Sequence, residues 1–355
     1  MIKGRKTKQI SVGNVKVGGG APVSVQSMTN TKTADIEATA AQIKSLSNAG
    51  CEIVRIAVLN MEDARSVGEI VAQSDIPVIA DIHFNHRLAI ESVKQGVQGL
   101  RLNPGNIGGK KRVQQVVEIA GADNIPIRIG VNAGSLEKEI LEKYGYPTAD
   151  GMVESAMNHI AILEDFGFYN IKVSLKASDV PRTLEAYREL SRRVDYPLHL
   201  GVTEAGTSFS GTIKSAVGIG TLLAEGIGDT IRVSLSADPV EEIKVGFEIL
   251  KSLQIRSKGV NVISCPTCGR MQVDLIKLAN EVEKRLAHIE APLNVSVLGC
   301  VVNGIGEAME ADAGIAGGKD EGLLFSRGEV VGKISEDKLV DALVAEVEKI
   351  AENDY

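Results

Sequence analysis

Between about residues 20 and 255, eight short apolar runs rich in β-branched residues alternate with longer amphipathic stretches, and this alternation restricts the possible folds more than anything else in the sequence. The runs fall at 22–27, 52–58, 77–83, 99–103, 126–132, 171–175, 198–203 and 230–235 and read as strands. The stretches 34–47, 61–72, 86–95, 111–119, 151–166, 180–193, 210–224 and 239–253 repeat their apolar residues at helical spacing. Each links one strand to the next, the signature of βα units on a parallel sheet, and eight strands fit a closed (β/α)₈ barrel. An open doubly wound sheet is the rival. Its Gly-rich dinucleotide turn follows the first strand, whereas Gly18-Gly19-Gly20 precedes it here.

Past residue 258 the pattern changes to a Cys-containing loop, a helix over 273–289, strands at 294–298 and around Gly314 and Leu323, and a last helix over 336–351. The spacing thus predicts an α/β (TIM) barrel over 1–257 followed by a smaller α+β domain over 258–355, joined near Ser257-Lys258-Gly259. Net charge is −7 and aromatics make up 3% with no Trp, which argues against nucleic-acid binding through phosphate contacts or base stacking. No run approaches the roughly 20 apolar residues of a membrane span, and Met1-Ile2-Lys3-Gly4-Arg5-Lys6 leads into no signal core, so the chain reads as cytoplasmic. Four cysteines are too few for a disulfide framework. In a reducing compartment, close Cys pairs point to metal ligands or redox groups.

In a barrel of this kind the active site lies at the C-terminal ends of the strands, and there cations recur: Arg55, Arg101, Arg128, Lys176 and Arg232. A cation inside an apolar strand is costly unless paired. Asp81 and Glu204 are the strand carboxylates available for structural ion pairs, and five cations against two carboxylates leave a surplus suited to a multiply charged anion such as a phosphate ester. Asn132, Ser174, Ser234, His83 and His199 share the rim as lining residues. Glu204 is the best-placed general acid, with an Arg partner role as its alternative.

The second domain opens with Ser264-Cys265-Pro266-Thr267-Cys268-Gly269-Arg270 and continues with Gly299-Cys300-Val301-Val302-Asn303-Gly304-Ile305-Gly306-Glu307. A C-x2-C turn alone fits zinc, a redox dithiol or an iron–sulfur cluster. Structural zinc wants four Cys or His ligands, and no His lies near either segment. Cys51 begins the second barrel strand, at its non-catalytic end, and reads as a small buried hydrophobe. Three thiolates leave one iron open, and a Gly-rich loop brings Glu307 back as a candidate exchangeable ligand.

Together with Gln26-Ser27-Met28-Thr29-Asn30-Thr31, Ala80-Asp81-Ile82-His83-Phe84, Leu100-Arg101-Leu102-Asn103-Pro104-Gly105-Asn106 and Arg128-Ile129-Gly130-Val131-Asn132, these segments resemble the motifs of the 4-hydroxy-3-methylbut-2-enyl diphosphate synthase family of the non-mevalonate isoprenoid pathway. The resemblance covers nearly the whole chain. It is to the compact two-domain bacterial form, because the barrel runs into Cys265 without an intervening domain. It implies a 4Fe–4S cluster held by Cys265, Cys268, Cys300 and Glu307. It also implies 2-C-methyl-D-erythritol 2,4-cyclodiphosphate in the barrel mouth, gripped by Arg55, Arg101, Arg128 and Lys176 with Asn132, Arg232 and Ser234 alongside. The implied reaction is a two-electron reductive ring opening with loss of water, in which Glu204 supplies a proton and Glu307 takes part as a displaceable ligand. A ferredoxin or flavodoxin donates the electrons. The implied assembly is a homodimer in which the cluster domain of one chain covers the barrel of the other, with a hinge at Lys258.

Overall fold

A computed structural model describes residues 2–257 and 259–354, without the side chains of residues 301 and 303–305. Lys258, where the hinge is expected, lies outside the described residues. The chain divides into two compact units, Met1–Arg256 and Ser257–Tyr355.

In the first unit eight parallel strands stand in chain order around a barrel: Ser24–Met28, Ile53–Ala57, Val78–Asp81, Gly99–Arg101, Ile127–Asn132, Ile171–Lys176, His199–Leu200 and Thr230–Ile231. The eighth pairs with both the first and the seventh, and a single bridge from Val173 to Leu198 joins the sixth to the seventh. The expected barrel is therefore present. Its last two strands are shorter than the sequence predicts, since the chain leaves the ladder at Gly201 and after Ile231 to form rim loops. Helices follow each strand, and many begin at a side chain that accepts a first-turn N–H, as with Asp35, Asn60, Asn85, Asp179 and Asp238.

Side chains along a strand point alternately to the two faces of the sheet. One set, including Val54, Ile56, Val78, Ala80, Leu100, Ile127, Ile129, Val131, Ile171, Val173 and Leu175, packs into the main apolar core with the helices. Each Val, Leu or Ile among them contributes roughly 1.5–3 kcal/mol of burial. The other set faces the barrel axis. At the N-terminal mouth, Ile53 and Ile79 from that set pack against Ile10, Val12 and Val17 of an antiparallel hairpin, Ile10–Val12 with Val15–Val17, which the strand and helix periodicities do not predict. Above this apolar plug the interior is polar.

The second unit has its own core. Its five-stranded sheet runs Asn261–Ser264, Asn294–Leu298, Ala313–Gly317, Glu321–Ser326 and Glu329–Ser335, parallel for the first three strands and antiparallel for the last two pairings. Helices Leu275–Leu286 and Leu339–Asp354 bury one apolar face each in that core. The Gly-rich segment after Cys300, expected as a loop, is the helix Val301–Glu310 with Cys300 at its N-cap.

Candidate functional site

Register places the charged residues. Asp81, Arg101, Arg128 and Lys172 are consecutive partners across the third to sixth strands, so all four side chains emerge on the axial side. Asp81 anchors the group, with a carboxylate oxygen 3.1 Å from Arg101 Nη1 and the other 3.5 Å from Arg55 Nε. Burial alone would raise the Asp81 pKa, but Arg55, Arg101, Arg128 and His83 outweigh it and bring it down to about 2. Burial lowers Arg55 to about 10, with Asp81 opposing and Arg232 and Arg101 reinforcing the fall. Arg55 also points two N–H groups at Met28 Sδ.

Two glycines make room for this charge. A Cβ on Gly130 would stand 2.5 Å from Arg101 Nε, and one on Gly201 would stand 2.6 Å from Lys176 Nζ. Arg101 Nη2 donates to the Gly130 carbonyl at 2.8 Å, and Asn103 brackets the same residue by donating to its C=O and accepting from its N–H. Arg128, 3% exposed, donates from Nη1 to Ser174 Oγ at 2.8 Å, while its Nε and Nη2 are buried without a partner. Burial, then Arg55 and Arg101, push its guanidinium well below the ordinary value. Lys176 Nζ lies 3.3 Å from His199 Nε2 and is likewise pushed well down by burial and by Arg128, Arg232 and Arg55. Arg232 lies over Glu242, Nε to Oε2 at 3.6 Å.

The five strand-end cations therefore converge, with half-buried Asn132 in register with Lys176, and Ser234, two residues beyond Arg232, is half-buried as well. The carboxylates differ from expectation. Asp81 pairs with arginines, but Glu204 is exposed and makes no ion pair among the described residues. It sits on the rim with φ of 52°, a left-handed conformation uncommon outside glycine. The second counter-charge is Glu242, a buried helix residue that also accepts from Ser27 Oγ and the Leu235 N–H. Sequence reasoning missed Glu242, although it shares the inward helix face with Ile243, Gly246 and Ile249. It also missed Lys172, whose two-residue phase with Ser174 and Lys176 was the available signal, and Gln26, whose amide is buried with neither polar atom partnered.

In the second unit Cys265 and Cys300 follow the C-terminal ends of two adjacent parallel strands, and the Gly299 N–H donates to Cys265 Sγ at 3.4 Å. Backbone N–H groups of Arg270 and then Met271 help lower the Cys268 thiol, with Arg270's charge assisting. All four cysteines are free. N–H groups aimed at sulfur stabilise thiolates, so the donor set suits a thiolate-ligated cluster. Glu307 lies about two helical turns beyond Cys300 and is exposed. Among the described residues no three His, Cys, Asp or Glu side chains are gathered closely enough to hold a metal ion. Cys51 is buried, bonds the Ile53 carbonyl, and is pushed up to about 12 by burial, as an inert core thiol.

Residues 7–247 match the family model described as the GcpE TIM-barrel domain, and residues 261–349 match that of the GcpE protein C-terminal domain. The chain is 65% identical over 345 residues to the 4-hydroxy-3-methylbut-2-en-1-yl diphosphate synthase (flavodoxin) of Geobacter sulfurreducens, covering 97% of this chain and 98% of that one. Its likeness to the proteins of the same name from Symbiobacterium thermophilum and Clostridium perfringens is 59% and 58%, over 99% and 98% of this chain and 95% and 99% of theirs. Among solved structures, an N-acetylneuraminic acid synthetase from Leptospira borgpetersenii superposes on 70% of this chain and 90% of its own, with a TM-score of 0.50 at 14% identity, a likeness of fold alone.

Proposed function

The chain belongs to the GcpE family, and from that premise we propose that it opens 2-C-methyl-D-erythritol 2,4-cyclodiphosphate reductively to 4-hydroxy-3-methylbut-2-enyl diphosphate, with two electrons entering and one water leaving. The observation that carries the reading is the surplus of buried donors in the barrel. Among the described residues, Nε of Arg101 and Nε and Nη2 of Arg128 are buried without a hydrogen-bond partner, and Nε of Arg232 has only its 3.6 Å ion-pair contact with Glu242. A buried donor left unmade costs about 1–3 kcal/mol, more if charged, and a diphosphate oxygen satisfies several at once.

Arg55, Arg101, Arg128 and Lys176 are assigned to the diphosphate, with Asn132, Arg232 and Ser234 fixing its orientation. Holding that charge in a low-dielectric barrel stops the diphosphate from leaving while the ring C–O bond breaks. Glu204, free of ion pairs on the rim, delivers the proton with which the departing oxygen becomes water. Cys265, Cys268 and Cys300, with Glu307 as the displaceable fourth ligand, would hold a 4Fe–4S cluster, which when bound supplies the single electrons that no side chain can. The relatives' names support a flavodoxin as the electron donor. Two copies assemble so that the cluster unit of one chain serves the barrel of its partner. No helix is long and apolar enough to cross a membrane among the described residues, in keeping with work on a water-soluble substrate.

Protein purified without oxygen tests this by its iron, acid-labile sulfide and zinc content, and by its visible spectrum before and after dithionite. About four irons and four sulfides per chain, bleached by reductant, are expected of a Cys-ligated cluster of this type. Stoichiometric zinc with no colour after attempted reconstitution overturns the reductase reading. Glu307→Ala is expected to keep the cluster and lose most turnover of the cyclodiphosphate, and normal activity in that variant removes Glu307 from the ligand set.

A further inference from the structure

Six cations occupy the barrel interior and its rim: Arg55, Arg101, Arg128, Lys172, Lys176 and Arg232. The carboxylates that meet them are Asp81 from the third strand and Glu242 from the helix Pro239–Ser252. Below Lys172, Asp229 is already engaged by the Leu198 N–H and Thr7 Oγ1 and lies near Arg5. The seventh strand adds only His199. Tyr187, from the helix Val180–Arg193, meets the cluster as a neutral phenol that donates to the His199 carbonyl. The first strand offers the uncharged Ser24 and Gln26. Until an anion arrives, the enclosure is too positive for its own counter-charges.

The six do not respond to that crowding alike. Arginine keeps its proton at any ordinary pH, whereas a buried lysine gives its proton up. Lys172 is 1% exposed, its Nζ has no partner, and its register neighbour is Arg128. Lys176 reaches only an imidazole nitrogen. His199 is fully buried and faces Lys176, Arg128, Lys172 and Arg55, which with burial favour its neutral form, and its Nδ1 has no hydrogen-bond partner among the described residues. These three groups, unlike the arginines, can stand neutral in the free barrel, and an entering dianion reverses the reason for their neutrality.

We propose that the barrel binds its substrate with proton uptake: Lys172 and Lys176, with His199 beside them, take protons from solvent as the diphosphate enters, so that the cradle reaches full positive charge only around its ligand. This rests on the diphosphate reading of the site. It adds Lys172, which that reading does not place on the substrate, as a positioning residue acting through Arg128 and Lys176. In the free protein burial and then Arg128 bring Lys172 to about 7. A bound anion raises it. Above about pH 7 the free protein holds fewer protons than the complex, so affinity falls as pH rises, by about tenfold per pH unit for each proton taken up. Below that pH Lys172 is already charged and its share of the dependence vanishes.

The cyclodiphosphate ionises only in acid and brings no proton of its own to exchange near neutrality. Holoenzyme kept without reductant, so that nothing turns over, is titrated with it by calorimetry at pH 8 in two buffers of different ionisation enthalpy. Uptake of about half a proton or more per site is expected, with binding that weakens about tenfold or more from pH 7 to pH 9. Lys172→Met, which removes an unpartnered amine from a buried position, is expected to bind with smaller uptake and a flatter pH profile. Equal heats in the two buffers overturn the proposal, as does uptake unchanged by Lys172→Met. The wild-type measurement stands even if the variant fails to fold. Absence of binding heat in either buffer removes the diphosphate cradle itself, a failure distinct from binding without protons.

Discussion

Asp81 shows how much a single carboxylate does in this barrel. Among the described residues it is the only acid on the strands that touches the cations, it meets Arg55 and Arg101 at once, and those charges hold its pKa near 2 although burial pulls the other way. A carboxyl whose folded pKa lies below its unfolded value of about 4 stabilises the fold fully above pH 4, and the benefit is lost as pH falls toward 2. Asp81→Asn deletes that contribution and leaves two guanidinium groups facing each other. Removing one partner of a buried ion pair costs about 3–5 kcal/mol, so the variant should unfold at clearly lower urea near neutrality. The gap between variant and wild type should narrow between pH 4 and pH 2. A gap that does not change with pH would mean that Asp81 acts through packing and not through its charge. The role of Asp81 was legible in the sequence because it ends an apolar strand. That of Glu242 was not, because a glutamate in a helix is ordinarily solvated, and only the tertiary fold turns its face toward Ser27 and Arg232.

At the level of elements, the barrel works because each strand keeps a two-residue phase, apolar toward the helices and polar toward the axis. The apolar runs between amphipathic stretches made the eight strands readable, and the late positions of Arg101, Arg128 and Lys176 in their strands put them at the catalytic end. Neither could reveal which axial positions must be empty. Gly130 is such a position: its φ is not left-handed, so alanine suits the backbone, but the new Cβ would fall within 3.1 Å of three guanidinium atoms of Arg101. Gly130→Ala is therefore expected to fold with lowered stability, because Arg101 is pushed off its buried pair with Asp81, and to raise KM for the cyclodiphosphate by about tenfold, the equivalent of one hydrogen bond to a charged group. An unchanged KM with normal turnover would show that Arg101 can move without cost to binding. The cluster segments were less legible. The glycines after Cys300 suggested a loop, yet the chain winds into a helix, in whose interior Gly304 and Gly306 cost only about 1 kcal/mol each.

At the scale of the molecule, the chemistry is divided. The cations and Glu204 belong to the unit Met1–Arg256, the three cysteines and Glu307 to the unit Ser257–Tyr355, and each unit has a hydrophobic core of its own. On the proposed reading neither unit turns over substrate alone, because the electron carrier is assigned to one and the anion site to the other. If the cluster unit of one chain serves its partner's barrel, damage to the two units can be placed on different chains and still leave one intact site. Co-expressing Arg128→Met with Cys300→Ser chains tests this. Each variant alone should be inactive, and both changes lie in units that fold around separate cores. Random pairing makes half of the dimers mixed, and each mixed dimer pairs the undamaged barrel of one chain with the undamaged cluster unit of the other. Turnover per chain should then recover to about a quarter of the wild-type value, as two-fold symmetry requires. If each barrel is served by its own cluster unit, every chain in the mixture carries a lesion in its own site, and no mixing ratio restores activity.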